Sequence, residues 1–93
     1  MLFTFVTEFR GGTYVHQIKA RSVGAAKLAW ADQLVERRIN MPYLGSTGAM
    51  RLQQRLRRGE VHEIPVAGVT GVWFMHFQSN RGSLFVNVVR TAH

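Results

Sequence analysis

The chain begins with a strict alternation of apolar and polar positions. Phe3, Phe5 and Phe9 fall on one face of residues 2–9, and Leu2, Thr4, Val6 and Glu8 fall on the other. That period of two is the pattern of a strand with one face against a core. Gly11-Gly12 follows, and glycine tolerates the left-handed backbone that a two-residue hairpin turn requires. Residues 13–20 then return as a second strand. A turn on Gly11-Gly12 pairs Arg10 with Thr13, Phe9 with Tyr14, Thr7 with His16 and Phe5 with Ile18, gathering Phe3, Phe5, Phe9, Tyr14 and Ile18 on one face.

The period then changes. Ser22 is the expected N-cap of a helix over residues 23–38, in which Val23, Ala26, Trp30 and Leu34 form one apolar stripe. Leu28 and Val35 lie nearly opposite that stripe, where either a second helix or an interface must cover them. Pro42 and Gly45 mark a connector over residues 40–46. A second helix is expected over residues 47–58, stopped by Gly59. Residues 60–65 add a short strand, placed at a sheet edge by Pro65.

Residues 69–78 and 83–91 form a second hairpin around the loop Ser79-Asn80-Arg81-Gly82, with Phe77 facing Leu84, Met75 facing Val86 and Trp73 facing Val88. Its other face carries Val72, Phe74, His76, Phe85, Asn87 and Val89, so both sides are apolar. Such strands lie centrally or present one face to an oligomer contact, and Phe74 and Phe85 join Leu28 and Val35 as interface candidates. The expected fold is α+β in the order ββαα(β)ββ: an antiparallel sheet of two hairpins, with both helices packed on one face. Residues 1–93 read as a single domain, without repeats, linkers or low-complexity tracts.

Composition narrows the classes. Hydrophobic residues make up 46% of the chain and charged residues 18%, which suits a packed globule rather than a disordered one. With no cysteine there is no disulfide, thiolate metal site or cysteine nucleophile. The start lacks the basic and small-residue features of a signal peptide, and no apolar run approaches the ~18 residues of a membrane span. A cytoplasmic location with no membrane partner is the expectation.

Charge changes the picture most. The formal charge is +7 at pH 7 on 93 residues, a field that draws nucleic acid or an acidic protein. The densest cationic stretch is Arg51-Leu52-Gln53-Gln54-Arg55-Leu56-Arg57-Arg58. On a helix Leu52 and Leu56 point to the core, while Arg51, Arg55 and Arg58 make a separate stripe. Arg57 and Gln54 lie beside it, and Arg37 and Arg38 at the end of the first helix extend the patch. Arginine's planar fork suits phosphate, and glutamine adds contacts to a backbone or base edge. A solvated, solubilising helix face produces the same spacing.

Catalytic and metal chemistry find less support. His16, His62, His76 and His93 sit on separate segments, without ligand spacing. His62 lies between Glu60 and Glu63, but strand alternation turns it away from Glu63. The four serines lack a nucleophile context. Gly45-Ser46-Thr47-Gly48 offers free amides at a helix start but no P-loop lysine, so capping is its expected role.

Two segments, Phe9-Arg10-Gly11-Gly12-Thr13-Tyr14 and Gly68-Val69-Thr70-Gly71-Val72-Trp73, resemble small uncharacterised bacterial proteins over most of the chain. The resemblance implies a bacterial or phage-like cytoplasmic origin and carries no activity, cofactor or metal with it. The leading expectation is a non-enzymatic binding module for an anionic partner, nucleic acid first. A protein-interaction factor of the immunity or antitoxin kind is the alternative, with a homodimer as one use of the apolar hairpin. A small enzyme built on His16 or His76 comes last.

Overall fold

The computed structural model describes residues 1–92. Five strands and two helices follow the order β1 (Leu2–Phe9), β2 (Gly12–Lys19), α1 (Val23–Val35), α2 (Gly45–Arg57), β3 (Ile64–Pro65), β4 (Val72–Ser79) and β5 (Gly82–Ala92). The fold is α+β. One antiparallel sheet has the order β2-β1-β5-β4-β3, and the helices run between β2 and β3.

The alternation of β1 does what it promised. Phe3, Phe5 and Phe9 are buried beneath the helices together with Ile18, Met75, Phe77, Leu84, Val86 and Val88. Trp30 from α1 is fully buried and stacks on Phe5 at 5.1 Å between ring centroids. Aromatic rings bury large areas, so this pair fixes the seat of α1 on the sheet. The two ends of the described chain meet in the middle of the sheet: β1 and β5 are antiparallel neighbours, with Leu2 opposite Ala92 and a bulge between Leu2 and Phe3.

The first hairpin corrects its expected register. Its turn residues are Arg10 and Gly11, and the pairs are Phe9 with Gly12, Thr7 with Tyr14, Phe5 with His16 and Phe3 with Ile18. Arg10 and Gly11 both adopt positive φ, 51° and 79°, the requirement of the hairpin turn whose twist matches the strands. Gly12 is a strand residue with a spatial task instead, because a Cβ there would lie 2.6 Å from the Tyr14 hydroxyl. The slip is two residues, so every side chain keeps its face.

The second hairpin has the expected register, with Phe77 opposite Leu84, Met75 opposite Val86 and Trp73 opposite Val88. Its strands extend to Ser79 and Gly82, leaving Asn80-Arg81 as the turn. Gly82 holds φ +133°, which side chains rarely adopt, and it packs against Phe9 and Arg10 of the first hairpin.

Ser22 caps α1 by accepting from the Ala25 amide. The helix ends at Val35 rather than at residue 38, because Arg37 turns left-handed at φ 61°. α2 begins at Gly45 and has no side-chain cap, so Ser46 and Thr47 do not take the capping role. Gly59 stops it at φ 71°, with the Gly59 and Glu60 amides donating back to Leu56 and Arg55, the paired bonds of a glycine C-terminal motif. β3 is two residues at the sheet edge, pairing with β4. Lys27 of α1 binds Glu63 just before β3, and both side chains are largely buried.

Candidate nucleic-acid interface

The expected arginine stripe lies on the surface of α2, but its members have different surroundings. Arg55 sits over the Phe77 ring at 5.7 Å and faces Glu60 at 3.8 Å. Arg57 and Gln53 both donate to Asp32 of α1, at 2.9 and 2.8 Å. Arg38 pairs with Glu36. Arg51, Gln54 and Arg58 are exposed. Arg37 donates to Ser46 at the start of α2, twelve residues and so about 18 Å of helix from Arg58. Arg37 and Arg38 therefore do not lengthen the stripe at its Arg58 end.

Arg51 instead joins a group that the sequence did not reveal. The β1–β2 and β4–β5 turns meet at one end of the sheet, beside the first turn of α2. Arg10 of the first turn donates to the Arg81 carbonyl of the second at 3.0 Å. Arg10 also lies 5.1 Å over the Tyr43 ring of the connector. Arg51 reaches the second turn from α2, 3.4 Å from the Asn80 side-chain oxygen. A cleft of about 310 Å³ opens there, walled by Ser46, Thr47, Arg51, Asn80 and Arg81 among others, with no acidic residue in its lining. Through Ser46, Arg37 belongs to the same rim.

Four of the five acidic residues (Asp32, Glu36, Glu60 and Glu63) pair with cations elsewhere, and the fifth, Glu8, accepts from Thr13 on the strands that lead into the first turn. Arg10, Arg37, Arg51 and Arg81 make no salt bridge among the described residues, and neither do Lys19, Arg21, Arg58 and Arg90. Backbone strain is concentrated at the turn end. Arg10, Arg37 and Tyr43 are the non-glycine residues with positive φ among those described, a conformation that costs side chains about 1–2 kcal/mol. Such outliers gather where a function holds them.

The other candidates are dispersed. His16 is half-buried, and burial pushes its pKa below the ordinary 6.5, partly opposed by a hydrogen bond to the Asn40 backbone. His76 is exposed on the sheet face away from the helices, stacked on Phe85. His93 lies outside the described residues. Among those described, no three His, Asp or Glu side chains gather as a metal group, and no helix is long and apolar enough to cross a membrane. Of the interface candidates, Leu28 is exposed on α1 while Val35 packs against the core. Phe74 and Phe85 share the open sheet face.

Asp32 and Glu63 act in the scaffold. The Gln53 hydrogen bond, opposed by burial and helped by Arg57, holds Asp32 below its ordinary value. Burial pulls Glu63 upward, but the Lys27 bond and charge lead the effects that outweigh it, and Glu63 also lies low. Compared with protein-family models, curated proteins and solved structures, the chain finds no match.

Proposed function

We propose that the protein is a non-enzymatic module that binds a phosphate-bearing polymer, nucleic acid foremost, at the end where its two hairpin turns meet α2. The observation that carries this reading is that Arg51 and Arg81 line a cleft without an acidic residue, while Arg10 and Arg37, from two further segments, hydrogen-bond to its lining residues Arg81 and Ser46. Several guanidinium forks on one rim can engage successive phosphates and release their counterions. The formal charge of +7 adds long-range attraction. The first turn of α2 carries no acid to oppose an anion.

The test is fluorescence anisotropy of labelled single- and double-stranded DNA and RNA at low and moderate salt. Binding should weaken steeply with salt, and the triple substitution Arg10→Gln, Arg51→Gln, Arg81→Gln should flatten the salt slope by about 2–3 units. The variant should keep the wild-type circular dichroism, since all three residues are exposed. Full-strength, salt-sensitive binding by the folded triple variant would refute this site. The substitutions Arg55→Gln and Arg58→Gln, farther along α2, should weaken binding less.

A further inference from the structure

The helices cover one face of the sheet and leave the other bare. That bare face is ordered in rows running across the strands. Val15, Val6, Asn87, Phe74 and Ile64 form one row through all five strands. On the hairpin-turn side lies Thr13, Glu8, Phe85 and His76; on the other side lie Gln17, Thr4, Val89 and Val72, then Lys19 and Leu2. Val15 is 58% exposed, Ile64 60% and Phe85 46%. Phe85 stacks between its neighbours, 5.0 Å from His76 and 6.3 Å from Phe74. Val15 with Val6, and Phe74 with Phe85, Val89, Val72 and Ile64, are apolar on this face, divided by Asn87 and by a polar group of Thr4, Gln17 and Thr91. Exposed apolar clusters of this kind mark contact surfaces.

We propose that this face binds a second copy of the chain, sheet against sheet, about a two-fold axis lying across the strands. The charges on the face select the partner. On a chain of net charge +7, the face presents one carboxylate, Glu8, and one ammonium, Lys19, at opposite ends of the β1–β2 pair. A two-fold axis between the Val6 and Thr4 rows lays the Glu8 row of one copy over the Lys19 row of the other. Each Glu8 then sits about one strand spacing, ~4.8 Å, from the partner lysine's column. The pairing occurs twice, as an isologous contact requires. A polyanion finds a single lysine here, too few cations for its phosphates, and an acidic protein finds no field.

The area suffices. Four strands of about eight residues at ~4.8 Å spacing and ~3.3 Å rise give a flat footprint near 500 Å². Two such faces, with side-chain relief added, approach the ~1,200 Å² at which standard interfaces begin. The two helix layers, each with its basic cleft, would point outward. The proposal depends on none of the cleft arginines, so it stands or falls apart from the nucleic-acid reading. Salt separates the two further: screening relieves the mutual repulsion of the copies and strengthens their association, but weakens phosphate binding.

The experiment is sedimentation equilibrium at pH 7.5 over a micromolar concentration series, at low and moderate salt. The expected mass moves from the 10.6 kDa of one chain to twice that value, with tighter association at the higher salt. Phe85→Glu should raise the dissociation constant about tenfold or more by burying an unpaired charge. Glu8→Lys should weaken the dimer, and Glu8→Lys with Lys19→Glu should restore it, a rescue that also holds if Phe85→Glu misfolds. A wild-type monomer throughout the series would overturn the proposal. So would a dimer indifferent to both Phe85→Glu and Glu8→Lys, or a monomer whose nucleic-acid binding falls with Phe85→Glu, which would make the stacked rings of Phe74, Phe85 and His76 a base-stacking platform.

Discussion

Arg10 occupies a turn position that favours asparagine or glycine, and it does so at φ 51°. Its two contacts, with the Arg81 carbonyl and the Tyr43 ring, are exposed and together contribute about 1–2 kcal/mol. The left-handed backbone costs about the same. Arg10→Asn should therefore leave the urea midpoint nearly unchanged while nucleic-acid affinity falls several-fold. A large loss of stability would instead make the arginine a structural clasp between the turns. Nothing in the alternation of residues 2–9 singled out Arg10, because a turn residue's side chain has no periodic pattern to obey. Arg81 was hidden for the same reason. The α2 arginines stood out in the sequence because helical spacing displays them, yet Arg55 is engaged by nearby Glu60 and by Phe77 of β4, and Arg57 by Asp32 of α1, partners that helical spacing does not display.

At the scale of elements, most of the fold was legible. Apolar residues at every second position defined β1, runs apolar on both sides of a turn defined β4 and β5, and the stripe ending in Trp30 and Leu34 defined α1. Turn chemistry was harder to read, because Gly11-Gly12 offers two glycines and only the packing of Tyr14 over Gly12 shows which of them enters the strand. The end of α1 depends on Arg37 adopting a glycine-like conformation, which its identity does not announce. Ties between elements also make stability depend on pH. Burial holds the folded pKa of His16, on edge strand β2, below the ordinary 6.5. Its contribution is full above 6.5 and is lost as pH falls through the folded value. Glu63 and Asp32, also lowered, contribute above their ordinary 4.5 and 3.8 and are lost below them. Urea midpoints should thus fall in two stages on acidification. His16→Gln should remove the first stage and leave the second. An unchanged first stage in that variant would assign it to another group.

For the whole molecule, the distribution of charge is as informative as its sum. Two of the acids tie elements together, Glu63 to Lys27 before β3 and Asp32 to Arg57 between the helices, while Glu36 and Glu60 pair with arginines at the surface. Of the cations without a salt bridge, Arg10, Arg37, Arg51 and Arg81 gather near the two turns and the start of α2, while Lys19 and Arg90 lie at the far end of the sheet and the open sheet face is nearly neutral. The net charge alone could not distinguish a uniformly solubilised globule from this division into a basic end and an apolar face. The proposed nucleic-acid binding and dimerisation should respond oppositely to salt.

The pairing of β1 with β5 has a kinetic consequence. Both hairpins and the helix pair close over short stretches of chain, but the centre of the sheet joins residue 2 to residue 92, nearly the longest loop this sequence can close. High contact order of this kind slows folding. Until the last strand arrives, two half-sheets wait with the edges of β1 and β5 unprotected, so nascent or refolding chains meet their greatest aggregation hazard there. A circular permutant that bridges residues 92 and 2 with a short linker and opens the chain at Gly68 converts this distant pair into a local hairpin. In stopped-flow refolding it should fold faster than the parent at similar stability, with less material lost to aggregation.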